Sequence, residues 1–261
     1  MGAHRQNEKA VPTAASLERL VPEQIEDRGA TGLETLSLHV KRYQFAASHV
    51  RGDRVLDLAC GVGYGTRILA DAHPECVEVV GVDVASAAVD YARRHYGGRG
   101  VRFEQEDAFS FRDTWGFDTI VSLETIEHLP DPAAIVRRFV DLLRPGGRII
   151  ASVPVTPSVD VNPHHLHDFT EQSFALLFEC LGFRQRASVL QVQRVNPLAV
   201  LMRRGERMTD IRPNLLAYYL KQPGAFARRL AATFRYGFSN RYRTGVFELS
   251  EDAGRTGKVY T

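Results

Sequence analysis

Cysteine is scarce. Cys60, Cys76 and Cys180 are the three in 261 residues, an odd number without the spacing of a metal site. This argues against a disulfide scaffold and for a reducing compartment, so a cytoplasmic protein is expected. Net charge is nearly absent as well: 33 Lys and Arg against 31 Asp and Glu leave +2, too little for a strong global pull toward nucleic acid. No uninterrupted apolar run approaches the roughly 20 residues of a membrane span, and the N-terminus lacks the apolar core of a secretory signal. No transmembrane segment is expected. The first sixteen residues are polar, alanine-rich and unpatterned, and read as a flexible arm over 1–16. A hydrophobic share of 44% and a charged share of 25% are ordinary for a globular protein, and 17–261 reads as one domain.

What is present is concentrated between residues 55 and 65, Val-Leu-Asp-Leu-Ala-Cys-Gly-Val-Gly-Tyr-Gly, an apolar strand entering a glycine-rich turn. Gly61 and Gly63 carry no Cβ and accept positive φ, so backbone N–H groups can approach a ligand closely. A second apolar run, Val79 to Asp83, ends in a carboxylate placed to meet a pair of ribose hydroxyls. A third, from Val101, leads to Asp107 and Ala108, where an acceptor can meet the exocyclic amine of a purine. A fourth, Phe117 to Ser122, follows at similar spacing. Strand and helix thus alternate, which predicts a Rossmann-like, doubly wound, mostly parallel α/β sheet. A dinucleotide fingerprint requires Gly or Ala at position 66, where the chain has Thr66.

Asp57, the spacing Gly61, Gly63, Gly65, the terminal Asp83 and the later Asp107 together resemble the class I S-adenosylmethionine-dependent methyltransferases. Leu143 to Pro154, entered by Pro145-Gly146-Gly147, resembles the fifth strand of that family. One departure is Ala59, where the family has Gly. The resemblance implies S-adenosylmethionine as cofactor, with the glycine turn at its methionine part, Asp83 at the ribose and Asp107 by the adenine. The cofactor residues it implies are Tyr43, Asp57, Ala59, Gly61, Gly63, Asp83, Val84, Asp107, Ala108 and Ser122. Tyr43 comes from a predicted helix over 34–49, whose Arg42-Tyr43 pair is similar to a helix of methyltransferases that act on polysaccharides; the pattern fits equally a ring in the core.

After strand five, Glu171 to Leu181 reads as a helix stopped by Gly182, and Phe183 to Val195 as a strand whose partner, Arg243 to Leu249, comes much later. Between them lies an insertion at about 196–240 with helical periodicity. From 194 to 243 eleven Lys or Arg face Glu206 and Asp210, a local net of +9. Phe226, Leu230 and Phe234 recur at intervals of four, with Arg228, Arg229 and Arg235 largely off that stripe. The segment suits a solvated basic face, an acceptor lid, a phosphate site, an acidic membrane surface or a dimer contact.

Glu124-Thr125-Ile126-Glu127-His128 follows strand four directly. A helical turn there would bring Glu124, Glu127 and His128 to one face, and two close carboxylates repel unless one is protonated or a cation lies between them. A fourth ligand is available in the segment from Asn162 to Thr170. Ubiquinone-pathway O-methyltransferases carry a similar Glu-His-x-Pro segment without a structural need for metal, where Glu127 and His128 would order the loop. The pairing with a later His ahead of Asp168-Phe169-Thr170 is similar to metal-dependent enzymes that methylate the terminal 2′-hydroxyl of small RNAs. That resemblance implies Glu124, Glu127, His128 and His165 as ligands, with His164 and His167 as substrate contacts or bystanders.

Magnesium or manganese suits carboxylate-rich ligation, and a cation can lower the pKa of a sugar hydroxyl and fix its direction. Without metal, His128 is the general base, oriented by Glu127 or Glu124. The Leu17–Glu23 segment, the Arg-Tyr helix, the Glu-x-x-Glu-His element and Asn162-Pro163-x-His165 resemble bacterial saccharide O-methyltransferases over residues 17 to about 182. The expected activity is therefore O-methylation of a sugar or oligosaccharide. The alternatives are an RNA-terminal 2′-hydroxyl, a small quinone-precursor acceptor, or a cofactor-binding module without catalysis. A homodimer is the default for a soluble enzyme.

Overall fold

The computed structural model of the chain describes residues 22, 30–158, 162, 164–194, 219–236 and 241–251. The arm at 1–16, the Leu17–Glu23 segment apart from Pro22, and most of the insertion at 196–240 lie outside the described residues. The chain divides into two compact units, Met1–Arg112 and Asp113–Thr261.

In the first unit, helix α1 (Ala30–His49) precedes β1 (Arg54–Leu58), α2 (Tyr64–Ala72), β2 (Glu78–Asp83), α3 (Ser86–His95) and β3 (Val101–Gln105). β1 pairs with β2 and β2 with β3, all parallel, with Leu56 opposite Val80 and Gly81 opposite Phe103. All five residues of β1 are buried, which explains its near-continuous apolar sequence: a parallel strand covered on both faces has no solvent side to alternate toward.

The second unit runs β4 (Phe117–Leu123), a 3₁₀ turn (Ile126–His128), α4 (Pro132–Leu142), β5 (Leu143–Pro154), α5 (Glu171–Glu179), β6 (Phe183–Arg194), α6 (Pro223–Tyr236) and β7 (Arg241–Glu251). β4 and β5 are parallel; β7 is antiparallel to both β5 and β6. In the first unit the strands run in the order β3-β2-β1 and in the second β4-β5-β7-β6, strands alternating with helices in the mostly parallel, Rossmann-like pattern that the sequence predicts. Helix starts follow local chemistry. Asp131 accepts from the Ala134 N–H at 2.8 Å with Pro132 in the first turn of α4, and Thr170 forms a reciprocal capping box with Ser173 on α5. Gly182, at φ +87°, ends the α5 segment as the sequence predicts. Among the described residues, no helix is long and apolar enough to cross a membrane.

Candidate active site

Among the described residues, two clusters of functional side chains are built, one in each unit.

In the first, the turn after β1 is tied to the end of β2. The N–H groups of Ala59 and Cys60 donate to the Val82 carbonyl at 2.7 and 3.0 Å. The Asp83 carboxylate accepts from the Gly61 N–H through Oδ2 and from the Ala85 N–H through Oδ1, both at 2.9 Å. Each carboxylate oxygen has a second lone pair, so Asp83 can hold the turn and still accept from hydroxyls. The glycines divide by role. Gly61 lies at φ +58° with nothing within 4 Å of where a Cβ would stand, so its face is open to a ligand. At Gly63, φ +89°, a Cβ would stand 2.6 Å from Ala92 Cβ, and at Gly65 it would stand 1.9 Å from Tyr43 Cζ, so these two serve packing. α2 begins without a side-chain cap, leaving its first N–H groups for other partners.

Val84 is 60% exposed beside Asp83. Asp107 is exposed, Ala108 half-buried, and Asp107 Oδ1 accepts from the Phe109 N–H at 2.9 Å. Asp57 is fully buried. It accepts from Thr66 Oγ1 at 2.6 Å and from the Tyr43 hydroxyl, whose ring packs edge-on to Tyr64. Burial pushes the Asp57 carboxyl up to about 7, against the pull of the Thr66 and Tyr43 hydrogen bonds, with Asp83 adding to the rise. Thr66, which departs from the dinucleotide fingerprint, braces Asp57 through its hydroxyl, a role that carries no local sequence signal. Ala59, the departure from the family pattern, sits at φ +65°. Its expense is therefore backbone strain rather than side-chain size.

In the second cluster, Glu127, His128 and His165 each bring one donor atom within 4.8 Å of the others. Glu127 is buried and its Oε1 stands 3.8 Å from His128 Nε2. His128 Nδ1 lies 3.0 Å from the His164 carbonyl, which can only accept, so Nδ1 carries a proton and Nε2 is the ring nitrogen turned toward Glu127. His165 Nδ1 shares a hydrogen bond of 2.6 Å with Ser158 Oγ, and Asp168 accepts from the Ser158 N–H at 2.6 Å. Burial first, then the neighbouring His128 and His164, pull the His165 imidazole down to about 4. It is therefore neutral near pH 7. The Glu127 carbonyl accepts from the N–H of Leu166 at 2.8 Å and His167 at 3.3 Å, stitching the later segment to the 3₁₀ turn.

Glu124 does not join this group. Its φ of +50° turns the backbone before the 3₁₀ segment begins, and its carboxylate accepts from Ser152 Oγ on β5 at 2.7 Å. The helical register expected from Glu124 onward starts two residues later, at Ile126. His167 Nε2 donates to the Leu129 carbonyl at 2.9 Å, and Phe169 packs edge-on to Phe174. The Asp168-Phe169-Thr170 triplet thus supplies a brace, a core ring and a helix cap. Ser122, on β4, is fully buried, and its Oγ has no hydrogen-bond partner among the described residues.

A parallel sheet entered through a glycine turn, with an acid ending the second strand, is the architecture of doubly wound nucleotide-binding α/β proteins. Residues 56–151 match the family model described as "Methyltransferase domain". A curated protein of Mycolicibacterium smegmatis named "Probable S-adenosylmethionine-dependent methyltransferase" is 30% identical over 184 residues, covering 67% of this chain and 68% of that protein. The ubiquinone biosynthesis O-methyltransferase of Aromatoleum aromaticum is 28% identical over 207 residues, 77% of this chain and 74% of that one. Phosphoethanolamine N-methyltransferase 3 of Arabidopsis thaliana is 33% identical over 148 residues, 51% of this chain, which spans 29% of that protein. Among solved structures, magnesium protoporphyrin IX methyltransferase of Synechocystis with bound S-adenosylhomocysteine superimposes with a TM-score of 0.58 at 14% identity, covering 87% of this chain and 90% of that one. The N-methyltransferase NodS of Bradyrhizobium japonicum gives 0.56 at 14% identity, over 86% and 89%. The chain belongs to the S-adenosylmethionine-dependent methyltransferases.

Proposed function

We propose that the protein transfers the methyl group of S-adenosylmethionine to a hydroxyl oxygen of a sugar or oligosaccharide, assisted by a divalent cation held by Glu127, His128 and His165. The observation that carries this reading is the convergence of a buried carboxylate and two imidazoles within 4.8 Å. The donor set fits such an ion. The His165 imidazole is pulled down to about 4, His128 is oriented through Nδ1 by a carbonyl as ligating histidines commonly are, and the absence of thiolate from the set favours Mg, Mn or another hard to borderline ion. A cation bound there supplies Lewis-acid polarisation of an acceptor hydroxyl, and a vicinal diol offers two oxygens to it.

The remaining chemistry is in-line displacement. An acceptor oxygen lone pair forms a bond to the methyl carbon while the carbon–sulfur bond breaks, its electrons leaving on S-adenosylhomocysteine, and the hydroxyl proton passes to base or solvent. For the cofactor, Gly61 offers an unobstructed backbone face, Asp83 a carboxylate at the end of β2 for the ribose, and Val84 an exposed apolar surface beside it. Tyr43 and Asp57 act by setting the floor of the turn.

A second reading has a specific support. The Aromatoleum aromaticum relative methylates in ubiquinone biosynthesis by its name, and for such an acceptor His128 Nε2 would serve as the general base, with Glu127 at 3.8 Å stabilising the imidazolium. The two readings part in one assay: methyl transfer from labelled S-adenosylmethionine to sugars, quinone precursors and short RNA, each with chelator and with Mg or Mn restored. Saccharide methylation lost to chelator and regained with metal is the expected result. Chelator-resistant methylation of a phenol would transfer the role of base to His128.

A further inference from the structure

Helix α6 is unlike the other helices. Every residue from Leu220 to Ala231 whose burial is described is exposed, the apolar ones included: Leu220 is 76%, Phe226 50% and Leu230 45% exposed. At about 100° per residue, Phe226 and Leu230 lie roughly 40° apart on one face, with Ala227 and Ala231 continuing the same apolar arc. Arg228 lies about 160° from Leu230 on the opposite side. The Tyr219 ring packs edge-on to Phe226, extending the apolar face toward the helix start. The sequence around the helix is of one sign: from 211 to 247 it holds Arg212, Lys221, Arg228, Arg229, Arg235, Arg241 and Arg243, and no Asp or Glu. A helix with exposed aromatic and aliphatic side chains on one face and the exposed Arg228 on the other, within a wholly basic stretch of a chain of net charge only +2, is a local device rather than a by-product of overall composition.

We infer that α6 seats the protein peripherally on an anionic lipid surface, with Phe226 and Leu230 entering the headgroup–acyl boundary and the arginines meeting lipid phosphates. Charge complementarity selects this occupant: an uncharged apolar partner offers no anion to the exposed Lys221 and Arg228, and a nucleic acid leaves Phe226 and Leu230 without an apolar phase. The inference stands independently of the acceptor and of the metal.

The test is co-sedimentation of the full chain with phosphatidylcholine vesicles containing or lacking about one third phosphatidylglycerol. Binding to the anionic vesicles alone, weakened by added salt, is expected. Phe226→Ser with Leu230→Ser should lower the partition about tenfold or more. Arg228→Glu should lower it at low salt by several-fold. Both variants should bind S-adenosylhomocysteine as the wild type does in calorimetry, which separates loss of docking from loss of fold. The inference is overturned if the wild type stays in the supernatant or if the variants pellet equally. A Phe226-dependent dimer in light scattering, or tight retention on single-stranded RNA, with no vesicle binding overturns it too.

Discussion

The Tyr43 hydroxyl stands 3.3 Å from each oxygen of the Asp57 carboxylate, at the floor of the glycine turn. Together with Thr66 it makes an interior acid whose partners come from α1 and α2. Removing the donor in Tyr43→Phe leaves a buried carboxylate short of a hydrogen bond and should lower stability by about 1–3 kcal/mol. Chemical denaturation with Thr66→Val and the double variant would show whether the two donors act as a unit, through coupling of more than about 0.5 kcal/mol.

The same carboxylate makes the cofactor-free protein sensitive to pH. Asp57 is held at about 7 in the fold against an ordinary 3.8, so the folded state binds this proton more tightly than the unfolded chain. Its contribution to stability is complete below the unfolded value and is lost as pH rises through about 7. Urea unfolding between pH 5 and 8 should show this decline, and Asp57→Asn should flatten it.

Ala59 occupies a left-handed conformation that costs an L residue about 1–2 kcal/mol, partly offset by the entropy that a glycine would lose on folding. Ala59→Gly should therefore stabilise by up to about 1 kcal/mol, read as a rise in Tm. A fall in Tm would mean that the Ala59 methyl makes packing contacts worth more than the strain.

Gly61 and Gly65 should separate binding from folding. Gly65→Ala drives a methyl into the Tyr43 ring and should destabilise the protein by about 1–3 kcal/mol or more. Gly61→Ala meets no atom of the protein, so its melting temperature should fall less while S-adenosylhomocysteine affinity falls more. Calorimetry and thermal melts on the two variants make the comparison.

For the metal reading, Mn titration followed calorimetrically should detect a site that His165→Ala abolishes. Ser158→Ala, which releases His165 Nδ1, should weaken it by about 10–100-fold. Glu124→Gln should change it little, because that carboxylate is engaged by Ser152. A strong effect of Glu124→Gln would return it to the ligand set.

The fold was legible where the signal is local and repeated. β5 spans Leu143–Pro154 as the sequence predicts, β1 ends at the glycine turn, and β6 finds its partner in β7 across the long insertion. Apolar runs and glycine stops carry that information within a few residues. The sites were legible as residue types but less so as geometry. That Glu124 leaves the Glu-x-x-Glu-His face depends on a hydroxyl 28 residues away and on a single positive φ, and neither has a periodic signature. The bracing of Asp57 has no local signal, because its partners, 14 and 9 residues away, come from the helices on either side of β1. His165, which the resemblance singles out from three neighbouring histidines, is brought beside His128 by backbone bonds from Leu166 and His167 to the Glu127 carbonyl.

The antiparallel strand β7 lies between β5 and β6, with Ser250 opposite Arg148, and the Arg148–Glu248 ion pair joins positions 100 residues apart. During synthesis this edge of β5 is thus complete only once Arg241–Glu251 has left the ribosome. Until then β5 and β6 both present unsatisfied strand edges, the kind of surface that recruits other chains. Folding of this half should be slow for its size, since the closing contacts are distant in sequence. A nonsense mutation between Arg194 and Arg241 would remove β7 and leave the facing edges of β5 and β6 both open.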